Sequence, residues 1–172
     1  MPLSDFDFLI GRWTVRIRAL SEPAWCEFEA SYDCRRIGQL GNVAYVRTCA
    51  DAFPMEGVSI RLYNPARDEW TLTWTDSSRP GILQPPLTGS FTGSRGVFHG
   101  DTSHDGRAMR VRLVWRKTPN PHFEQSFSSN NGRTWQTNWL MSLEAKPRNA
   151  GFQPTTPAVL PAVLSQSRYS AP

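Results

Sequence analysis

Two polar residues stand among aromatic side chains late in the sequence, where they could hold a ligand. Gln125 lies between two phenylalanines in FEQSF, and Thr137 lies close to two tryptophans in TWQTNW. Buried amide and hydroxyl groups need hydrogen-bond partners, which a bound molecule can supply. We therefore predict that Gln125 and Thr137 orient a ligand inside an apolar pocket.

Aromatic residues elsewhere in the chain supply the rest of this expected site. Tyr32 could add a hydrogen bond through its phenol, and Gln84 in the loop SSRPGILQPPLTGS could reach a ligand from the mouth of a pocket. Tryptophan and phenylalanine rings would stack on an aromatic or apolar molecule. The complete predicted ligand-binding set is Tyr32, Trp74, Gln84, Phe98, Trp115, Gln125, Thr137 and Trp139.

Other reactive side chains do not suggest a metal or catalytic site. His99, Asp101 and His104 have the spacing H-x-D-x-x-H, but arginines on the same expected face oppose a metal ion. His122 is expected to face outward, which opposes a haem ligand, and Glu124 is expected to join a surface charge ladder. The sequence has no nucleophile elbow, phosphate-binding glycine loop, zinc-protease motif or C-x-x-C pair. We predict no metal site and no cofactor, and we assign no catalytic residue.

Two β-hairpins in the region 96–144 must position most of these side chains. An Asp-Gly pair and an Asn-Gly pair separate segments in which apolar and polar residues alternate. A two-residue turn at the Asp-Gly pair places Phe98 opposite Leu113 and Asp101 opposite Arg110. Apolar residues then share one face of the hairpin and charged residues share the other.

The last hairpin is expected to use a three-residue loop, Asn130 to Gly132, with a bulge at the glycine. This register pairs Phe127 with Trp135 and Phe123 with Trp139, which brings the rings to one face. A slip of one residue would expose several rings to water. The predicted interior set is Trp13, Phe28, Tyr32, Ile60, Trp70, Trp74, Phe98, Trp115, Phe123, Gln125, Phe127, Trp135, Thr137 and Trp139.

Period-two patterns predict further strands before these hairpins, beginning at Trp13. Many antiparallel strands in one domain should curl shut, so we predict an all-β fold, a single up-and-down antiparallel barrel of about 8–10 strands with a short N-terminal helix. The helix, Asp5 to Gly11, would close one end of the pocket, and the loop Arg79 to Thr88 would border the other. The barrel is expected to occupy residues 1–146.

Composition limits the partners and the compartment. The net charge is +4, but the arginines are scattered, so we expect no nucleic-acid partner. Cys26 and Cys34 lie too far apart on one predicted strand to form a disulfide. An acidic start and the lack of a long apolar run predict a cytoplasmic protein without membrane insertion. Residues 147–172 are proline-rich and are expected to form a flexible tail.

Several motifs carry a resemblance to known proteins. FLIGRW contains Gly11 and Trp13 in Gly-x-Trp spacing, and the meander that follows is all antiparallel. This pattern resembles the calycin group, which includes lipocalins and fatty-acid-binding proteins. IRLYNPARDEWTLTW, RVRLVW and FEQSFSSNNGRTWQTNW are similar to a family of uncharacterised bacterial barrel proteins, over residues 6–143. The resemblance implies a β-barrel with a small-molecule pocket and no particular activity.

We therefore expect the chain to bind a hydrophobic or aromatic small molecule in a barrel pocket lined by Trp and Phe. An alternative is an enzyme without a cofactor, a cyclase or isomerase acting on a natural-product-like substrate, in which Tyr32 shuttles a proton. A third is an interaction module that uses outer arginines or the tail. Formation of a homodimer is left open.

Overall fold

Ten antiparallel strands account for 67% of the described residues. The computed structural model describes residues 2–21, 23–50, 54–104 and 106–145. The strands are β1 (Gly11–Ser21), β2 (Ala24–Ile37), β3 (Gly41–Thr48), β4 (Glu56–Asn64), β5 (Glu69–Asp76), β6 (Leu87–Thr92), β7 (Arg95–His104), β8 (Arg107–Arg116), β9 (His122–Ser128) and β10 (Gln136–Ala145).

The strands close into a barrel by simple up-and-down pairing. Each strand pairs with the next one in the chain, and β1 pairs with β10. The predicted all-β antiparallel barrel is therefore confirmed, with a strand number at the upper limit of the expected range. The β7–β8 hairpin has the predicted register, with Phe98 opposite Leu113 and Asp101 opposite Arg110.

The turn between β9 and β10 differs from the prediction. Asn131 and Gly132 have φ values of 58° and 84°, and Arg133 N donates to Asn130 O at 3.4 Å. Two consecutive positive φ values are typical of a two-residue type I′ turn, which Asn-Gly favours. The predicted three-residue loop was wrong because both residues of the pair adopt the left-handed region.

A bulge in β10 compensates for this turn. The two-residue turn pairs Gln136 with Phe127, and it leaves Thr137 on the outer face of the barrel. The register then shifts between Thr137 and Trp139, so that Trp139 returns to the interior opposite Gln125. The predicted interior position of Trp139 is confirmed, but that of Thr137 was wrong.

Strand β4 turns the opposite face inward from the one predicted. Arg61 is only 2% exposed, whereas Ile60, predicted inside, lies on the alternate outer face. The inward residues of β4 fit the interior because neighbouring side chains accommodate them. Gly57 leaves room for the ring of Trp74, which lies against it, and Asn42 of β3 accepts a hydrogen bond from Arg61.

The N-terminal segment closes one end of the barrel. It forms two short 3-10 turns, Pro2–Ser4 and Asp7–Leu9, rather than the predicted helix. Phe6 and Leu9 are both 0% exposed, and Trp13 Nε1 donates to Leu9 O at 2.8 Å. Packing of side chains into the barrel therefore holds this segment, since turns of this length add little helical stability.

Cys26, Cys34 and Cys49 are free thiols, and the first two lie on β2 as expected. The predicted tail, residues 147–172, lies outside the described residues. Within the described part of the chain, no helix combines the length and the apolar character needed to cross a membrane.

Candidate functional site

Aromatic rings fill the barrel end that the N-terminal segment closes. Phe6 contacts Trp70 and Phe91 edge to face, with ring centroids 5.0 and 4.9 Å apart. It also stacks on Phe98 at 5.5 Å, and Phe8 packs beside it. We call Phe6, Phe8, Trp70, Phe91 and Phe98 the aromatic plug. Phe98 is inside the barrel as predicted, but it belongs to this packed cluster.

A cavity of about 50 Å³ lies in the remaining part of the barrel interior. One liquid water occupies about 30 Å³, whereas pockets for drug-sized ligands usually reach about 300–1,000 Å³. The cavity is therefore small, and most of the barrel is filled by its own side chains. Its aromatic walls include Trp74, Trp115 and Trp139, and its polar lining includes Tyr32, Arg61 and Gln125.

An irregular segment forms the barrel wall beside this cavity. Strand β6 pairs with β5 only from Trp70 to Leu72, so the rest of β5 borders residues 77–86, which we call the strap. Gln84 and Pro85 of the strap line the cavity together with Thr102 of β7. The loop predicted to border the pocket is thus part of the cavity wall.

A few hydrogen bonds hold the strap against β5. Gln84 N donates to Trp74 O, and Thr73 Oγ1 donates to Gln84 O, both at 2.8 Å. At the start of the strap, the buried carboxylate of Asp76 accepts hydrogen bonds from Trp74 Nε1 at 2.7 Å and from the backbone of Ser78 at 2.9 Å. Asp76 and Gln84 therefore hold the strap near its two ends, and Thr75 Oγ1 donates to Ile82 O between them at 2.8 Å.

Arg61 places a positive charge at the cavity wall. Its Nη2 donates to Tyr32 Oη at 2.6 Å and its Nη1 donates to Asn42 Oδ1 at 2.8 Å. The guanidinium lies 5.3 Å from the ring centroid of Phe6 and 5.5 Å from that of Trp115, so it sits between the plug and the cavity. Its Nε has no hydrogen-bond partner among the described residues.

Tyr32 remains a neutral phenol in this setting. Burial raises its pKa above the ordinary value, although the nearby Arg61 cation opposes the shift. The side chain is 1% exposed, and its oxygen accepts the hydrogen bond from Arg61. Tyr32 can therefore donate a hydrogen bond at neutral pH.

Six of the eight predicted site residues line the cavity. They are Tyr32, Trp74, Gln84, Trp115, Gln125 and Trp139. Phe98 and Thr137 do not line it. Arg61 was missed, because the apolar set Val58, Ile60 and Leu62 made the wrong face of β4 look like the buried one. Asn42 of β3 was missed because a polar residue is expected outside. No local pattern in the sequence distinguishes the two faces.

Thr137 belongs to a polar network on the outside of the barrel. Its Oγ1 donates to Glu124 Oε1 at 3.1 Å and lies 3.1 Å from Ser126 Oγ. Glu124 also lies 3.9 Å from Arg112, whose guanidinium stacks 4.5 Å from the ring of Trp135. Trp135, predicted inside, thus covers this network from outside.

A larger groove, of about 240 Å³, lies on the outer face of β8, β9, β10 and β1. Its lining includes the charged residues Arg16, Arg18, Arg116 and Glu124. Arg16 and Arg18 also pair with Glu27 at 3.6 and 4.0 Å. Within the described ranges, no group of three or more His, Cys, Asp or Glu side chains is placed to hold a metal ion.

The barrel is similar to a known structure at low sequence identity. The crystal structure of Rv2717c from M. tuberculosis matches with a TM-score of 0.57 and 14% identity, over 86% of this chain and 99% of that chain. No known family model matches the chain, and no curated protein matches it. The likeness supports the barrel fold alone, because folds of this kind carry many unrelated functions.

Proposed function

We propose that this protein binds a small aromatic or apolar molecule in the barrel cavity. The observation that carries the proposal is the composition of the cavity wall. Trp74, Trp115 and Trp139 present apolar ring surface, and Tyr32 and Arg61 present hydrogen-bond donors. Apolar walls with a few placed polar groups are the usual form of small-molecule sites, since the apolar part supplies affinity and the polar part fixes orientation.

The size of the cavity requires a change of shape during binding. A volume of about 50 Å³ is well below the about 300–1,000 Å³ of usual ligand pockets, so a ligand would displace part of the wall. The strap is the part best suited to move, because it has no strand pairing between Asp76 and Leu87. We therefore include outward movement of the strap in the proposal.

A calycin-like relationship and a cytoplasmic location are further parts of this proposal. The Gly-x-Trp residues support the relationship, because Trp13 ties β1 to the segment that closes the barrel end through its bond to Leu9. Three free thiols suit a reducing compartment.

Catalysis without a cofactor is the alternative for the same cavity, with Tyr32 as the proton carrier. The raised pKa of Tyr32, caused mainly by burial, makes proton transfer from its phenol unfavourable at neutral pH. Binding is therefore the better supported function. A Tyr32→Phe variant with an unchanged turnover rate would remove this residue from any catalytic scheme.

Titration of indole, naphthalene and 2-naphthol against the full chain tests the proposal, with tryptophan fluorescence and calorimetry as readouts. At least one compound should bind with 1:1 stoichiometry. Val111→Phe places a ring in the cavity, because Val111 lines it and is 7% exposed, and it should weaken binding at least about tenfold.

Val97→Phe is the matched control, because Val97 pairs with Val114 on the outer face of the β7–β8 hairpin. It should leave the affinity unchanged. Absence of binding by every compound, or equal affinity in wild type and Val111→Phe, would contradict the proposal.

A further inference from the structure

Arg61 is a buried cation that its surroundings do not neutralise. It is 2% exposed, and none of the ion pairs among the described residues includes it. Its two hydrogen-bond acceptors, Tyr32 Oη and Asn42 Oδ1, are neutral. Charged groups at such positions are usually paired or bound to a ligand, because desolvation of an unpaired charge is costly.

The two carboxylates of the N-terminal segment pair with other cations. Asp5 pairs with Lys117 at 2.7 Å, and Asp7 pairs with Arg36 at 2.5 Å. Cation–π contacts with the rings of Phe6, Tyr32 and Trp115 offset part of the free-energy cost of desolvating Arg61. These contacts supply no negative charge.

Arg61 and Tyr32 each keep a hydrogen-bond donor without an acceptor among the described residues. A guanidinium has five N–H groups, of which Arg61 uses one on each terminal nitrogen. Its Nε–H has no acceptor among the described residues. The neutral phenol of Tyr32 accepts from Arg61, and its own O–H group finds no acceptor in the described part of the chain. Both residues line the cavity.

We propose that Arg61 and Tyr32 form the subsite for a carboxylate, so that the ligand of this barrel is an aromatic or apolar acid. The inference rests on the proposed function and names its ligand class. In the complex, the carboxylate accepts hydrogen bonds from Arg61 Nε–H and Tyr32 O–H, and the apolar part lies against Trp115 and Trp139. The carboxylate supplies Arg61 with an ion-pair partner, which it does not have among the described residues.

Matched acid and amide pairs test this subsite in the full chain. Acetate, benzoate and 2-naphthoate are compared with acetamide, benzamide and 2-naphthamide by calorimetry in a buffer without carboxylates. Each pair differs in charge and hardly in shape. At least one acid should bind at least about tenfold more tightly than its amide, as expected for hydrogen bonds to a charged group.

Two variants and one control test whether the subsite causes the preference for acids over amides. Arg61→Met should reduce acid affinity to that of the amide, and Tyr32→Phe should weaken acid binding while amide binding changes little. Arg67→Met removes the same charge from an exposed residue that pairs with Glu69, and it should leave the preference intact. If Arg61→Met does not fold, the wild-type pairs and Tyr32→Phe still decide.

The outcomes separate the two proposals. Equal binding of acids and amides by the wild type, or an acid preference that survives in Arg61→Met, overturns the carboxylate subsite and leaves the small-molecule pocket standing. Binding of neither class, together with failure of the neutral aromatic compounds above, overturns the pocket and the subsite with it.

Discussion

The two parts of the barrel interior use the same kinds of side chain with different results. In the aromatic plug, Phe6 contacts three neighbouring rings at centroid distances of 4.9 to 5.5 Å, and the interior is filled. In the other part, Trp74, Trp115 and Trp139 surround a cavity of about 50 Å³. The difference arises because the N-terminal segment inserts Phe6 into one end, whereas no segment among the described residues inserts a ring into the other.

This contrast shows that aromatic content alone does not identify a binding site. An aromatic core and an aromatic pocket lining have the same sequence pattern, and only the presence of an inserted side chain separates them. The contrast also locates the buried charge: Arg61 lies at the boundary between the aromatic plug and the cavity. The first three predictions below compare the plug with the cavity or its strap, and the last uses the outer face as a reference.

The largest expected effect is loss of the plug. Phe6→Ala should lower the free energy of unfolding by about 3–5 kcal/mol, because it leaves a void among rings that cannot collapse. Phe127→Ala, in the cavity wall, should cost less than half as much, since Phe127 is only partly buried. Urea unfolding measures both, and equal losses would show that the two regions are packed alike.

Two glycines that lie under rings give a second comparison. A Cβ atom at Gly96 would lie 2.6 Å from the Phe91 ring, and one at Gly57 would lie 2.2 Å from the Trp74 ring. Both alanine variants should lose about 1–3 kcal/mol of stability through overpacking. Only Gly57→Ala should also weaken ligand binding, because it displaces Trp74 at the cavity. Weaker binding in Gly96→Ala as well would argue against separate regions.

Release of the strap should have a smaller effect. Thr73→Val keeps the side-chain shape and removes the hydrogen bond to Gln84 O, which should cost about 0.5–1.5 kcal/mol. Hydrogen exchange in residues 77–86 should become faster while the plug stays protected. Thr71→Val, on the β5 segment that pairs with β6, is the control. Unchanged exchange in the strap would contradict its proposed movement.

The smallest expected effect concerns the outer face, away from both regions. Burial, together with Arg110, Arg112 and Arg95, lowers the pKa of His99. The unfolded chain therefore binds a proton at higher pH than the folded one, so stability should fall as the pH drops below about 6.5. The decrease should be smaller in His99→Gln. Urea midpoints at several pH values measure it, and an identical decrease in the variant would remove His99 as a cause.

The fold was largely predictable from local signals. Alternation of apolar and polar residues gave the antiparallel barrel, and the Asp-Gly pair gave the β7–β8 register, with Phe98 opposite Leu113. The register of the β9–β10 hairpin was predicted incorrectly at the Asn-Gly pair. The bulge that restores the register lies several residues further on, between Thr137 and Trp139. The position of such a bulge depends on the pairing of the whole sheet, and no local sequence pattern indicates it.

The candidate site was only partly predictable. Ring positions such as Trp115 and Trp139 follow from period-two patterns, but Arg61 does not, because a charged residue is expected outside. Its burial depends on partners from other strands, Asn42 of β3 and Tyr32 of β2. The volume left between the rings also depends on how Phe6 enters the barrel, which no strand pattern specifies.

A crystal structure of the protein with the tightest-binding compound tests the central claim most directly. The account predicts density for the compound inside the barrel, against Trp115 and Trp139 and beside Arg61, with the strap displaced relative to the unbound protein. Density only in the outer groove near Arg16 and Arg116, with the interior unchanged, would contradict it.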